Sequence, residues 1–330
     1  MPEISRILSA LSRTSGQPAV LATLVKVEGS SYRRPGARLL LLSDGSRVGS
    51  ISGGCLEEDI QERALRVFQS GEPTFVAYDT TAENDHAWGL GLGCEGIVSL
   101  LLELIPAVRP RWVDILRANQ ALRADTSLVV EYGGPAPRGT HLLDEIPTVG
   151  EIFKDDIPAP PSLIVFGAGN DAQPLVFMAK ECGWHVTVAD SRAAYATPAR
   201  FPGADAVVVA PIDQIVSRLK ITKRSFAVIM THRYQDDLQL LRSLFVSGQE
   251  LCYLGQLGPR KRTDRLLEEL AAEGLDPSAG QRINFYAPVG LDIGAGTSEA
   301  IAVAILAELH AVMAGRKGGS LREKEGVIHG

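Results

Sequence analysis

The feature that most constrains this chain is a glycine loop set between a short apolar run and an amphipathic one. Residues 163–166 read Leu-Ile-Val-Phe and lead into Gly167-Ala168-Gly169-Asn170-Asp171-Ala172, and a helical pattern follows over 172–182. The loop is Gly-x-Gly-x-x-Ala, a form of the dinucleotide fingerprint. Gly167 permits a tight turn, Gly169 lets the backbone approach a phosphate, and Ala172 lets helix and strand pack closely. Asp190 ends the next apolar run about 20 residues on, where a carboxylate usually holds a ribose hydroxyl. Further short strands at 206–209, 226–230 and 251–254 alternate with helices from 212, over 238–246, 263–272 and 299–314. Short apolar strands alternating with helices predict a parallel sheet covered on both faces. The C-terminal half is therefore expected to be a Rossmann-type α/β domain.

A break precedes it. Residues 155–162 carry three prolines and read as a stiff, extended linker. The expected domains are 1–157 and 158–330. The first opens on a short amphipathic helix with Ile4, Ile7, Leu8 and Leu11 at helical spacing. A buried strand at 20–27, a hairpin turning at Ser43-Asp44-Gly45-Ser46, a helix at 56–68 and strands at 75–78, 97–104 and 127–132 follow, with a helix at 112–122. Strands outnumber helices, so this domain is expected to be α+β.

The 330 residues and 45% hydrophobic content suffice for two cores. A net charge of −6 argues against a general nucleic-acid binder. The one basic run, Pro259-Arg260-Lys261-Arg262, is followed by Asp264, Glu268 and Glu269 and reads as a solvated helix start. No apolar run approaches the roughly 20 residues of a membrane span, and no secretory signal is visible, so a cytoplasmic protein is expected.

In the Rossmann half, ligands are expected at the carboxyl ends of the strands. Arg192, two residues past Asp190, reads either as a clamp for phosphate or carboxylate or as a surface ion pair. Asp171 in the first helical turn suits the helix dipole but repels an incoming phosphate. Thr231 and His232 follow a strand, and His232 is a candidate general base, ligand or hydrogen-bond donor, or a structural loop residue. Gly290, Gly294 and Gly296 precede the last helix, a second place for backbone N–H groups to meet an anion.

In the N-terminal half, two cysteines sit beside glycines at the edges of elements: Cys55 after Gly53 and Gly54, and Cys94 after Gly89, Gly91 and Gly93. Cys55 opens a helix, where the dipole favours thiolate. Both are candidates for reactive thiols or soft-metal ligands, whereas Cys182 and Cys252 read as core. Arg33, Arg34 and Arg38, on a nearby loop, read either as a phosphate grip or as solvated charge.

These residues carry a resemblance. Glu28-Gly29-Ser30-Ser31-Tyr32-Arg33-Arg34-Pro35-Gly36-Ala37-Arg38, Ser52-Gly53-Gly54-Cys55-Leu56-Glu57 and Gly91-Leu92-Gly93-Cys94-Glu95-Gly96 resemble the N-terminal signatures of the XdhC/CoxI family. The glycine loop, Met230-Thr231-His232, Tyr253-Leu254-Gly255, 288–294 and 299–302 resemble its C-terminal domain. The resemblance implies an accessory protein of xanthine-dehydrogenase-type molybdenum hydroxylases. Such a protein binds molybdenum cofactor, as the bare molybdopterin form or its dinucleotide, supports exchange of an oxo ligand for sulfur, and hands the cofactor to the apo-enzyme. Its implied partners are that apo-enzyme, a cysteine desulfurase or other sulfur donor, and a second copy of itself in a dimer. The resemblance makes Cys55 the leading cofactor-binding residue. The chain departs from the family at Asn170, Asp171 and Ala172, and at Arg233-Tyr234, where Asp-His is common. Two other functions compete: an NAD(P)-dependent oxidoreductase using His232, and a nucleotide-binding regulatory protein. Four scattered cysteines are too few for the iron–sulfur clusters of a hydroxylase itself.

Overall fold

The structure is a computed structural model that describes residues 2–79, 96–133, 139–145, 150–275 and 283–325. It divides into two compact units, Met1–Pro160 and Pro161–Gly330.

The first unit is built on a five-stranded antiparallel sheet. Its elements are α1 (Pro2–Arg13), β1 (Ala19–Gly29), β2 (Arg38–Leu42), β3 (Arg47–Gly49), α2 (Glu57–Ser70), β4 (Thr74–Asp79), β5 (Gly96–Ile105) and α3 (Arg111–Leu122). The strand order is β3-β2-β1-β5-β4. Both faces of β1 are buried, which explains its unbroken apolar run. Val20, Ala22 and Leu24 face α2 through Ile60, Ala64 and Val67. Ala19 and Leu21 face α1 and α3 through Ile7, Leu11, Trp112 and Leu116. A second sheet, β7-β6-β8, joins β6 (Thr126–Glu131), β7 (Gly139–Leu142) and β8 (Ile152–Ile157). The supposed linker is thus corrected at its start: Asp155, Asp156 and Ile157 pair with β6 as part of β8. Two adjacent aspartates hide the strand signal, and Asp155 tolerates its half-buried place because Arg38 bonds it.

The second unit contains β9 (Ser162–Phe166), α4 (Ala172–Glu181), β10 (His185–Asp190), β11 (Ala206–Val209), β12 (Ser225–Ile229), α5 (Tyr234–Val246), β13 (Leu251–Gln256), α6 (Arg260–Ala272), β14 (Ile283–Tyr286) and α7 (Ser298–Met313). All six strands are parallel in the order β11-β10-β9-β12-β13-β14, the doubly wound Rossmann arrangement. Helices α4 and α7 cover one face through Leu175, Val176, Ile305 and Leu309. Helices α5 and α6 cover the other through Leu241, Leu244, Leu266 and Leu270. The helix expected from residue 212 is instead a series of turns ending in one 3-10 turn, Val216–Arg218, which buries Ile215, Val216 and Leu219. The segment between Pro211 and Leu219 is too short to offset the cost of nucleating a helix.

The strand order reverses between β9 and β12, so the glycine loop after β9 sits at the switch point. Gly167 has φ +110°, and a Cβ there would lie 2.7 Å from the carbonyl oxygen of Met230. Gly167→Ala is therefore expected to destabilise the second unit by about 2 kcal/mol or more, through backbone strain and a backbone clash. Denaturant midpoints of the two proteins check this.

Candidate functional site

The predicted site residues fall into two groups, one in each unit. In the first unit, the chain leaves β3 and returns to α2 through residues 50–56. Glu57, the first residue of α2, organises this loop. Its carboxylate accepts hydrogen bonds from the amides of Ile51 (3.0 Å), Ser52 (2.9 Å) and Gly54 (2.9 Å), and from the hydroxyls of Ser50 (2.9 Å) and Ser52. Burial opposes the charged form, but these bonds, led by those from Ser52, outweigh it and hold the carboxyl at about 2. The loop is thus a nest of N–H groups filled by the protein's own anion. Gly53 (φ +81°) and Gly54 (φ +129°) supply the backbone turns that aim those amides inward. The Gly53 amide donates to Ser50 Oγ (3.1 Å). The amides of Gly53 and Gly54 are therefore committed inside the loop. At its exit, Leu56 is buried and Cys55 is exposed. The result is a thiol displayed to solvent on a loop pinned from within.

The loop after β1 reaches the same place. The Tyr32 ring lies against Gly53, 3.3 Å from where a Cβ would stand, and is 68% exposed. Of the three arginines beside it, Arg33 pairs with Glu3 of α1 at 2.5 Å, and Arg34 is exposed. Arg38 is buried, bonded to Asp155 and to the Gly36 carbonyl, and its amide donates to Glu3. Its role is to fasten the loop, which corrects both readings of Arg38, as a phosphate grip or as solvated charge. Cys94 lies outside the described residues. Cys252 is half-buried, and burial pushes its thiol up. Cys182, expected in the core, is exposed because it caps the end of α4 beyond the last buried turn. Among the described residues, no group of three or more His, Cys, Asp or Glu is placed to hold a metal ion.

In the second unit, Gly167, Asp190, Arg192 and His232 line one shallow cleft with Thr231 and Arg233. Asp190 is buried and accepts four hydrogen bonds. The Ala168 amide donates at 2.6 Å, the Arg192 amide at 2.8 Å, and the Arg192 guanidinium binds bidentately at 2.9 and 2.6 Å. Burial raises its pKa, but the bonds from Arg192 and Ala168 outweigh this, so Asp190 stays ionised below the usual carboxylate range. The Arg192 guanidinium carbon sits 4.4 Å from the Tyr195 ring centre and that of Arg200 5.1 Å, while Arg200 also bonds Asn170 Oδ1 at 2.9 Å. The His232 imidazole stands over the second glycine: a Cβ on Gly169 would lie 2.8 Å from its Nε2. Asp171 Oδ2 is 3.8 Å from that nitrogen, and Asp171 Oδ1 accepts from Ser298 Oγ at 2.7 Å. These residues do not fit an ordinary NAD-type dinucleotide. The ribose acceptor is engaged by Arg192, and the approach to Gly169 is taken by an imidazole.

A buried network behind the cleft was not foreseen from the sequence. Asp237 of α5 is fully buried and bonded to Thr231 Oγ1, Gln256 Nε2 (3.0 Å) and the Arg262 guanidinium (2.5 Å). Burial raises its pKa despite those partners. The basic run at 259–262 is thus corrected in part, since Arg262 is the counter-ion of a buried carboxylate. Glu57 and Tyr32 were also missed as site residues, although both lie in the motifs already quoted. The available signal for Glu57 was its place three residues after the paired glycines; Tyr32 carried none beyond its motif.

A six-stranded doubly wound sheet with a glycine loop, joined to an antiparallel unit that displays Cys55 on a glycine loop, defines the class. The chain belongs to the XdhC/CoxI family. The model of the XdhC and CoxI family matches residues 12–79, and that of the XdhC Rossmann domain matches residues 163–309. A Bacillus subtilis protein, named as a probable xanthine dehydrogenase subunit, is 36% identical over 316 residues, covering 89% of this chain and 92% of the relative. The molybdenum cofactor insertion chaperone PaoD of Escherichia coli is 24% identical, covering 90% and 84%. A crystal structure from Bacillus halodurans, described as a xanthine dehydrogenase, superposes with a TM-score of 0.81 at 33% identity, covering 96% of this chain and 97% of that one. Among the described residues, no helix is long and apolar enough to cross a membrane.

Proposed function

We propose that this chain is a cytoplasmic accessory protein that binds molybdenum cofactor, supports its sulfuration and delivers it to a xanthine-dehydrogenase-type apo-enzyme. One observation carries the reading: Cys55 is exposed at the end of a loop held rigid by Glu57. A thiolate suits a thiophilic metal or a persulfide-bearing donor such as a cysteine desulfurase. Tyr32 lies against Gly53, two residues before the thiol, and offers an exposed aromatic face on which a pterin can stack. Arg34, on the same loop, offers charge for the cofactor phosphate. The protein acts as a homodimer, and the cargo is molybdopterin or its dinucleotide. The chemistry at the metal belongs to the cargo, and this chain holds it and passes it on. An oxidoreductase based on His232 has less support, since that imidazole faces Asp171 and Gly169.

The test is equilibrium binding of isolated molybdenum cofactor to wild type and Cys55→Ser. Wild type is expected to bind, and Cys55→Ser to lose about tenfold or more in affinity. Tyr32→Ala is expected to lose about fivefold, the worth of one aromatic stacking contact. Absence of saturable cofactor binding by wild type would sink the reading.

A further inference from the structure

We infer that the Rossmann cleft of this chain is self-liganded: Asp171, His232 and Arg192 occupy the places a dinucleotide would use and make the cleft selective against nicotinamide and flavin dinucleotides. The inference concerns the C-terminal unit alone and does not rest on the reading of Cys55.

Three observations converge. A diphosphate reaches such a loop over the second glycine, at the N-terminus of the following helix, because the glycine leaves the backbone N–H groups open. Here the imidazole of His232, 57% exposed, reaches over that space, close enough that a methyl group on Gly169 would meet its Nε2 at 2.8 Å. Negative charge also stands at the start of α4. Asp171 is its N-cap residue; the carboxylate bonds none of the helix amides and instead accepts from Ser298, the first residue of α7, at 2.7 Å. A diphosphate entering the loop would meet this fixed negative charge and would have to displace the imidazole that faces it at 3.8 Å. The ribose acceptor is filled as well. Both oxygens of Asp190 are taken by Ala168 and Arg192, and the Arg192 guanidinium is in turn held over Tyr195. The remaining loop side chain, Asn170, is bonded to Arg200. The polar side chains at the loop, Asn170, Asp171 and Asp190, thus each have a partner within this unit.

Asp171 and His232 are therefore specificity-determining residues. Removing the charge or the ring should admit what the wild type refuses. The experiment is titration of NAD+, NADP+ and FAD, with inorganic pyrophosphate as the minimal probe, into wild type, Asp171→Asn, Asp171→Val, His232→Ala and the Asp171→Val/His232→Ala pair. Circular dichroism and melting temperature establish that each variant is folded. Wild type is expected to show no saturable binding into the millimolar range. The single variants should gain about fivefold to tenfold, and the pair more than either single variant but not the simple product, since the two side chains lie 3.8 Å apart. Asp171→Asn keeps the shape and the acceptor for Ser298, so it isolates the charge if Asp171→Val fails to fold. Tight dinucleotide binding by wild type would overturn the inference. So would folded variants that bind no better than wild type. Molybdenum cofactor binding on the same preparations reports separately on the N-terminal unit, so either reading can fail while the other stands.

Discussion

Replacement of Asp237 by Ala is expected to destabilise the second unit by about 3–5 kcal/mol, the usual cost of stranding one member of a buried ion pair. Asp237 is fully buried and bonds Arg262, Gln256 and Thr231. Removing it leaves the Arg262 guanidinium, a quarter exposed, and the buried Gln256 amide without the carboxylate they share. It also frees Thr231, the residue before His232, so the cleft should loosen as the unit weakens. Guanidinium denaturation, followed by the fluorescence of Trp184 in the core against Phe226, measures the loss. A loss under about 1 kcal/mol would mean that the network contributes little beyond a surface pair. Replacing Asp237 and Arg262 together by apolar residues should cost less than Asp237→Ala alone, because neither charge is then stranded.

The second large effect is expected at Glu57. Glu57→Ala removes the acceptor of three backbone N–H groups and two hydroxyls, and should cost the first unit about 2–4 kcal/mol. The loop that carries Cys55 should lose hydrogen-exchange protection at residues 51, 52 and 54. The sign of the pH dependence follows from the shift. The folded carboxyl titrates at about 2, against 4.5 for an ordinary glutamate. Its stabilising contribution is complete above about pH 4.5, then falls as pH drops toward 2. Allowing for solvent screening, about 1–3 kcal/mol is lost across that window. Urea titrations of wild type and Glu57→Gln between pH 6 and pH 2.5 should therefore converge at the acid end. Parallel curves would show that the nest does not depend on charge.

Both predictions concern groups that a local reading of the sequence passes over. Five of the six strands and the four α-helices of the Rossmann half were legible because each is a short apolar or 3.6-periodic run with its own boundaries; the edge strand β14 was not read. The glycine loop and Asp190 were legible because the first turn of such a fold has a fixed spacing. The turns at 212–218 were not, because a segment with helical composition is too short to form a helix. Strands β7 and β8 were missed because their partner is β6 and their polar residues are satisfied from elsewhere: Thr140 by Glu103, Asp155 by Arg38. At the sites, the residue types around Cys55 stood out. The sequence did not reveal that Glu57 would use up the loop's amides.

The order of residues alone therefore determined the two kinds of domain, the switch-point cleft and the glycine loop that carries Cys55. These depend on periodicity, turn chemistry and glycine conformations that act over a few residues. Tertiary structure decided how those loops are filled. Asp171 meets Ser298, Gly169 meets His232, and Arg38 meets Asp155 across long stretches of chain. Such pairs form only when the packed cores bring distant elements together, and burial then makes each charge find a partner. The same glycine loop can receive a nucleotide or be closed by its own side chains. In this protein the packing of α4, α7 and the β12 loop sets Ser298 against Asp171 and His232 against Gly169.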